Sequence, residues 1–187
     1  MKTAICNLEG AAPYSQSRVL RTPKNNRENS EDYEKRVWRD RIHSDSDGNT
    51  FIPPMAFKRS IESAARYLSE QIPGKGKATY TKHFLSGILV QEGLPLNIKK
   101  DDVTGEWYFL SSTGKKGSEG GTMVWKCYPE FHKWKGDVTF YVTDDTIPED
   151  VFERFLTEAG RLIGIGRFRP QNGGFFGTYK VNSVTWI

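Results

Sequence analysis

The chain has 187 residues, of which 36% are hydrophobic and 13% aromatic, and a formal charge of +4. This suffices for one domain with a sizeable core, and the aromatic share excludes general disorder. So small a charge identifies no partner by itself; only the placement of the cations is informative.

Residues 3–9, TAICNLE, end at Gly10 and read as a first strand. Residues 10–30 hold Pro13, Pro23 and several Asn and Ser, the composition of a long loop, and carry Arg18, Arg21, Lys24 and Arg27. In SEDYEKRVWRDRIH, Ser30 is placed to cap a helix, Glu31 and Asp32 suit its first turn, and basic residues fill the later turns. DSDGNTF is a turn into a short extended piece that stops at Pro53-Pro54. MAFKRSIESAARYLSEQI follows as a helix, with Pro54 in its first turn and Phe57, Ile61, Ala64, Ala65, Leu68 and Ile72 on one face.

PGKGKATYTKH is a basic, glycine-spaced loop before the apolar run FLSGILV. EWYFL, TMVWKCY and DVTFYV read as paired strands separated by the turn-rich SSTGKKGSEGG and PEFHKWKG. PEDVFERFLTEAGRLIG is a second amphipathic helix, opened by Pro148 and left through Gly164. A loop rich in Gly, Arg and Phe, GIGRFRPQNGGFFG, leads into a last strand. The order strand, insertion, helix, strands, helix, strand is the split βαβ pattern. We therefore expect an α+β protein with a modified ferredoxin-like (RRM-like) core in a single domain, 1–187. A loop and helix insertion occupies 10–50 after the first strand, a hairpin-rich insertion occupies 98–136, and the glycine-rich loop precedes the last strand.

Cys6 and Cys127 form no Cys-x-x-Cys pair, so neither a zinc site nor a disulfide is expected, and both read as reduced buried thiols. The N-terminus lacks a signal-peptide apolar region and no run approaches a membrane span, so the expected location is cytoplasmic, without membrane contact. No G-x-S-x-G, Walker A or H-E-x-x-H pattern occurs. SDSDGN resembles the start of a calcium loop, but with Gly48 at the sixth position Pro54 falls at the twelfth, where a Glu is required. Neither metal nor cofactor is therefore expected. The glycine-rich loop runs from helix to strand, the reverse of the dinucleotide fingerprint. His43, behind a cluster of arginines, is the one candidate general base, and its bland alternative is a cap that offsets a helix dipole.

Binding is better supported than catalysis. Cations concentrate in three segments: Arg18, Arg21, Lys24, Arg36 and Arg39 in the first, Lys75, Lys77 and Lys82 in the second, Arg167 and Arg169 in the third. Cations on phosphates release counterions and bind without sequence preference, and glycine loops can present backbone N–H groups to the same oxygens. Tyr14, Tyr80, Phe168, Phe175 and Phe176 lie beside these charges, where each exposed ring could stack a base, Phe175 being the one taken into the candidate site. The competing reading packs the phenylalanines under the loop and leaves the arginines as a solvated face.

Six segments, APYSQSR, YEKRVWRDRIH, FIPPMAFKRSIESAARYL, IPGKGKATYTKHF, VWKCYP and IGIGRFRPQNGGFFGTYKV, together resemble a family of small proteins of tailed bacteriophages. That family supplies no catalytic residues to carry over. More distantly the plan is similar to the RAMP superfamily, the ferredoxin-like RNA-binding subunits of CRISPR effector complexes. In those proteins a glycine-rich loop follows the second helix, the place held here by Gly164, Gly166, Gly173, Gly174 and Gly177. The resemblance implies a subunit that coats a single strand by oligomerising and is not a nuclease. The leading expectation is thus a non-enzymatic, phage-derived binder of single-stranded RNA or DNA, with self-association. The alternatives are a phage inhibitor or decoy docked on a host protein complex, and a metal-independent ribonuclease using His43.

Overall fold

The computed structural model describes residues 1–112 and 121–187, so most of the predicted SSTGKKGSEGG turn lies outside the described residues. Antiparallel sheets and four α-helices make up an α+β fold. In chain order the elements are β1 (Lys2–Gly10), β2 (Tyr14–Ser15), α1 (Ser30–Val37), β3 (Asn49–Ile52), α2 (Pro54–Leu68) and α3 (Thr81–Gly87). They continue with β4 (Ile88–Leu89), β5 (Leu94–Lys99), β6 (Thr104–Ser111), β7 (Met123–Phe131), β8 (Lys135–Val142), α4 (Glu149–Glu158) and β9 (Tyr179–Trp186).

The main sheet has the order β4-β8-β1-β9, every neighbouring pair antiparallel. Strand alternation explains its sidedness. Ala4, Cys6 and Leu8 of β1 and Val138, Phe140 and Val142 of β8 are buried, facing Phe57, Ile61, Ala64 and Ala65 of α2 and Phe152, Phe155 and Leu156 of α4. Phe140 meets Phe152 edge-on at 5.4 Å, and Phe84 of α3 stacks on Phe155 at 4.6 Å. Each such side chain contributes roughly 1.5–3 kcal/mol by leaving water. On the opposite face the polar groups bond one another: Asn7 donates to Asp137, and Asn182 donates to Asn7 and Glu9.

β6 and β7 form a hairpin that pairs with β2, while β3 and β5 make a separate two-stranded ribbon. The predicted strand DVTFYV, β8, leaves this hairpin and joins the main sheet, because its alternate residues Val138, Phe140 and Val142 fit the core under α4. FLSGILV also divides, its first half completing α3 and its Ile88 and Leu89 forming an edge strand. The first predicted helix is shorter than its charge pattern suggested, ending at Val37 before a 3-10 turn over Trp38–Arg41. Its cap is Asn29, whose side chain accepts from the Asp32 N–H at 2.8 Å, and not Ser30, which begins the helix.

α1 is held against the free edge of β7 by a buried charge pair. Glu34, fully buried, accepts from the Cys127 N–H at 2.9 Å and from Arg41, which donates to the Cys127 carbonyl at 3.2 Å. The two side chains thus make the bonds another strand would make, and they close an edge open to pairing. No helix among the described residues is long and apolar enough to cross a membrane.

Candidate functional site

The glycine-rich loop lies backbone to backbone against the segment after β1. Gly166 has φ of +73°, and a Cβ there would sit 2.4 Å from the Ser15 carbonyl oxygen. Gly177, with φ of +67°, would bring a Cβ within 1.8 Å of the Ile165 carbonyl. No other residue fits either position. The approach is fixed by hydrogen bonds from the Arg167 N–H to Ser15 O (2.9 Å), from the Gly177 N–H to Pro13 O (2.7 Å) and from the Ile165 N–H to Gly177 O (2.9 Å). The first and third basic segments are therefore joined at their bases.

These bonds change the expected role of the loop. The N–H groups of Ile165, Arg167, Asn172, Gly173, Gly174, Phe176 and Gly177 all donate to carbonyls of the chain, so these seven are engaged within the fold and do not point at a ligand. Phe168 packs on Tyr108 and Tyr128 of the hairpin at 5.0 and 5.7 Å, and Phe176 abuts Phe168 at 5.8 Å. Both stiffen the loop from beneath. Phe175 alone of the three stands out, 66% exposed. Tyr14 and Tyr80 are buried and have no free face for a base.

Between this loop and the start of α2 lies a cleft of about 580 Å³. Gln16, Ser17 and His43 form one wall, Pro53, Met55 and Arg59 another, and Gly166, Arg167, Arg169 and Gln171 the third. No carboxylate is among the described residues that line it. Arg169 donates through Nη1 to the Gly166 carbonyl at 2.9 Å and through Nε to Gln171 at 3.1 Å, which aims its guanidinium along the rim. Burial, with Arg59 close by, pushes the Arg169 pKa down. Arg167 stacks on the Tyr128 ring at 3.8 Å, its Nε is buried without a partner, and burial lowers its pKa as well.

His43 is fixed through its backbone, since Gln16 accepts from the His43 N–H at 2.6 Å and donates to the Phe51 carbonyl at 2.8 Å. Burial first, then the charge of Arg18, lowers its pKa, so the ring is neutral near pH 7. α2 opens on the same cleft with no side-chain cap and no acid in its first turn, and Arg59 of its second turn lines the cleft, while Lys58 is turned away to Glu62 at 2.8 Å. Unpaired cations and a positive helix end disfavour one another in one concavity, and an anion placed there relieves both. Chemically, the lining offers guanidinium groups and an imidazole with no carboxylate among the described residues.

The predicted cations are distributed unevenly around it. Arg167 and Arg169 line the cleft and Arg18 lies beside His43. Arg36 is tied to Glu28 at 2.7 Å, a contact that holds the Glu28 carboxyl down to about 2, and Lys24 donates to Ser30 at 2.9 Å. Arg39 stacks on Trp38 at 4.2 Å, and Arg21 is exposed on the preceding loop. Lys75, Lys77 and Lys82 are exposed beyond the C-terminal end of α2, which begins at the cleft. At 1.5 Å per residue, the helix puts about 22 Å between its two ends. Arg59, Gln16 and Gln171 escaped the sequence reading. Arg59 did leave one trace, a basic pair in the second turn of a helix with no acid in its first, against the preference of the helix dipole.

No family model and no curated protein matches the chain. Among solved structures, the whole chain is similar to 61% of a chain from a cryo-EM structure of the Type III-B Cmr-beta complex bound to cognate target RNA, at 13% identity and a TM-score of 0.47.

Proposed function

We propose that this protein binds single-stranded nucleic acid in the cleft between α2 and the glycine-rich loop. The observation that carries the reading is the lining itself, three arginines and a histidine with no carboxylate among the described residues. Single-stranded phosphates satisfy such a wall with little demand on sequence, since the backbone term of binding is electrostatic. A non-enzymatic role fits better than cleavage. General acid–base attack on a ribose phosphate uses both a base and an acid, and His43 is the one histidine, with no carboxylate beside it, among the described residues that line the cleft. We read the four-stranded sheet, with α2 and α4 as its crossovers, as a modified ferredoxin-like core on which residues 10–50 and 98–136 are insertions.

Fluorescence anisotropy with labelled 20-nucleotide RNA and DNA single strands over a salt series tests this. The expected result is micromolar or tighter binding at low salt that weakens as salt rises, with Arg59→Ala and Arg169→Ala each weakening it several-fold. Absence of binding at low salt overturns it.

A further inference from the structure

Beside the cleft, along α2, a second concavity of about 540 Å³ is lined by Ser63, Arg66, Tyr67, Leu162, Ile163, Pro170 and Gln171. Gln171 lines both, so the two meet at the short 3-10 turn Pro170–Asn172. No carboxylate is among the described residues lining the second concavity either. The α2 sequence makes this continuity regular. Met55, Arg59, Ser63 and Arg66 follow one another at three- and four-residue steps on the outer face, while Phe57, Ile61, Ala64 and Ala65 point to the core. Tyr67, beside Arg66, is 68% exposed, the more exposed of the two large apolar side chains, Met55 (44%) and Tyr67, that α2 leaves in solvent.

We infer that the bound strand runs from the first cleft over Gln171 into the second, with Arg66 meeting a further phosphate and the Tyr67 ring stacking a base; this rests on the reading of the first cleft as a nucleic-acid site. The dimensions agree. Arg59 and Arg66 are about 10 Å apart along the helix axis, which is three stacked nucleotides at about 3.4 Å each. Arg169 already donates to the side-chain oxygen of the exposed Gln171, and the amide N–H groups of Gln171 would supply a sequence-tolerant contact at the crossing point. The occupant is committed by charge: a path bordered by arginines, without an acid among the described residues that line it, and ending on an exposed aromatic ring suits an anionic chain that carries flat bases. A short phosphorylated ligand would fill the first cleft and leave Tyr67 untouched.

The test is an anisotropy ladder of 5′-labelled oligouridylates and oligodeoxythymidylates of two to twelve nucleotides. The parent protein is compared with Arg66→Ala, Tyr67→Ala, Tyr67→Phe and Arg59→Ala, all exposed positions. Affinity is expected to climb with length until the strand reaches the second concavity. Tyr67→Ala should then weaken the ten-nucleotide strand about tenfold while leaving the dinucleotide unchanged, and Tyr67→Phe should behave as the parent. If Arg66→Ala and Tyr67→Ala bind every length like the parent while Arg59→Ala is impaired, the second concavity lies off the path and only the first-cleft reading stands. If the parent binds no strand at all, both proposals fall.

Discussion

His43 sits where a single proton reports on the ligand. Burial and Arg18 hold its pKa below the ordinary 6.5, so the folded protein takes up its proton less readily than the unfolded chain does. The stabilisation from the neutral ring is therefore complete above pH 6.5 and is lost as pH falls from there towards the lower folded value. A phosphate in the cleft reverses the balance, because a nearby anion favours the charged imidazolium. Binding should then take up a proton and tighten from pH 7.5 to 5.5, by at most about tenfold per pH unit. Anisotropy titrations across that range check this, and His43→Gln should flatten the dependence. The cysteines make the contrasting case. Burial drives Cys6 up to about 12 and Cys127 up to about 11, and both are free and buried, so neither forms a thiolate near neutrality. Ellman's reagent should leave both unreacted in the native protein and titrate both in denaturant. Neither result was hidden from the sequence, where two isolated cysteines in apolar strands already read as core.

At the scale of elements, one device fixes α1 to β7 and another fixes the glycine-rich loop beside the cleft, and each is open to one substitution. Glu34→Ala leaves Arg41 charged and unpaired and strips the Cys127 N–H of its acceptor, all in a buried setting. Breaking a buried pair on one side costs about 3–5 kcal/mol, which a urea melt should show as an equivalent loss of stability. Gly177→Ala sets a side chain against the Ile165 carbonyl at a positive φ, and it should loosen the loop from residues 13–15 and weaken strand binding together with stability. The sequence displayed α2, α4 and β1 clearly, because their apolar periods match the faces they bury. It showed α1 as a longer helix capped by Ser30, because charge pattern alone cannot reveal that Glu34 and Arg41 turn inward to Cys127 of β7, 93 and 86 residues on. The division of FLSGILV between α3 and β4 was equally out of reach, since a short apolar run suits a helix end as well as a strand and only the β8 edge decides between them.

Across the whole molecule, the cations fall into two populations, and this sets how binding should respond to salt. Many are neutralised by close carboxylates: Lys35 by Glu31, Arg36 by Glu28, Arg154 by Glu70, Lys135 by Glu9 and Arg161 by Glu158. Such exposed pairs add little stability, but they remove their members from the pool that can meet phosphate. The cations of the cleft and of the outer α2 face, chiefly Arg59, Arg66, Arg167 and Arg169, lie along concavities without acids among their described residues. This division is faint in a linear string, where Arg59 leaves only the trace of a basic turn without an acid before it, and it takes the fold to show that Arg36 has met Glu28. The two populations predict different numbers. If every cation picked out by sequence met a phosphate, the plot of log affinity against log salt would fall with a slope of about −7, whereas three or four contacts on a single strand give about −2 to −3. A measured slope in the shallower range, reduced by about 0.7 in Arg59→Ala and unchanged in Arg36→Ala, would place the strand in the groove along α2. A slope near −7 that responds equally to both substitutions would mean that the strand wraps the whole basic surface and that the cleft holds no privileged share of it.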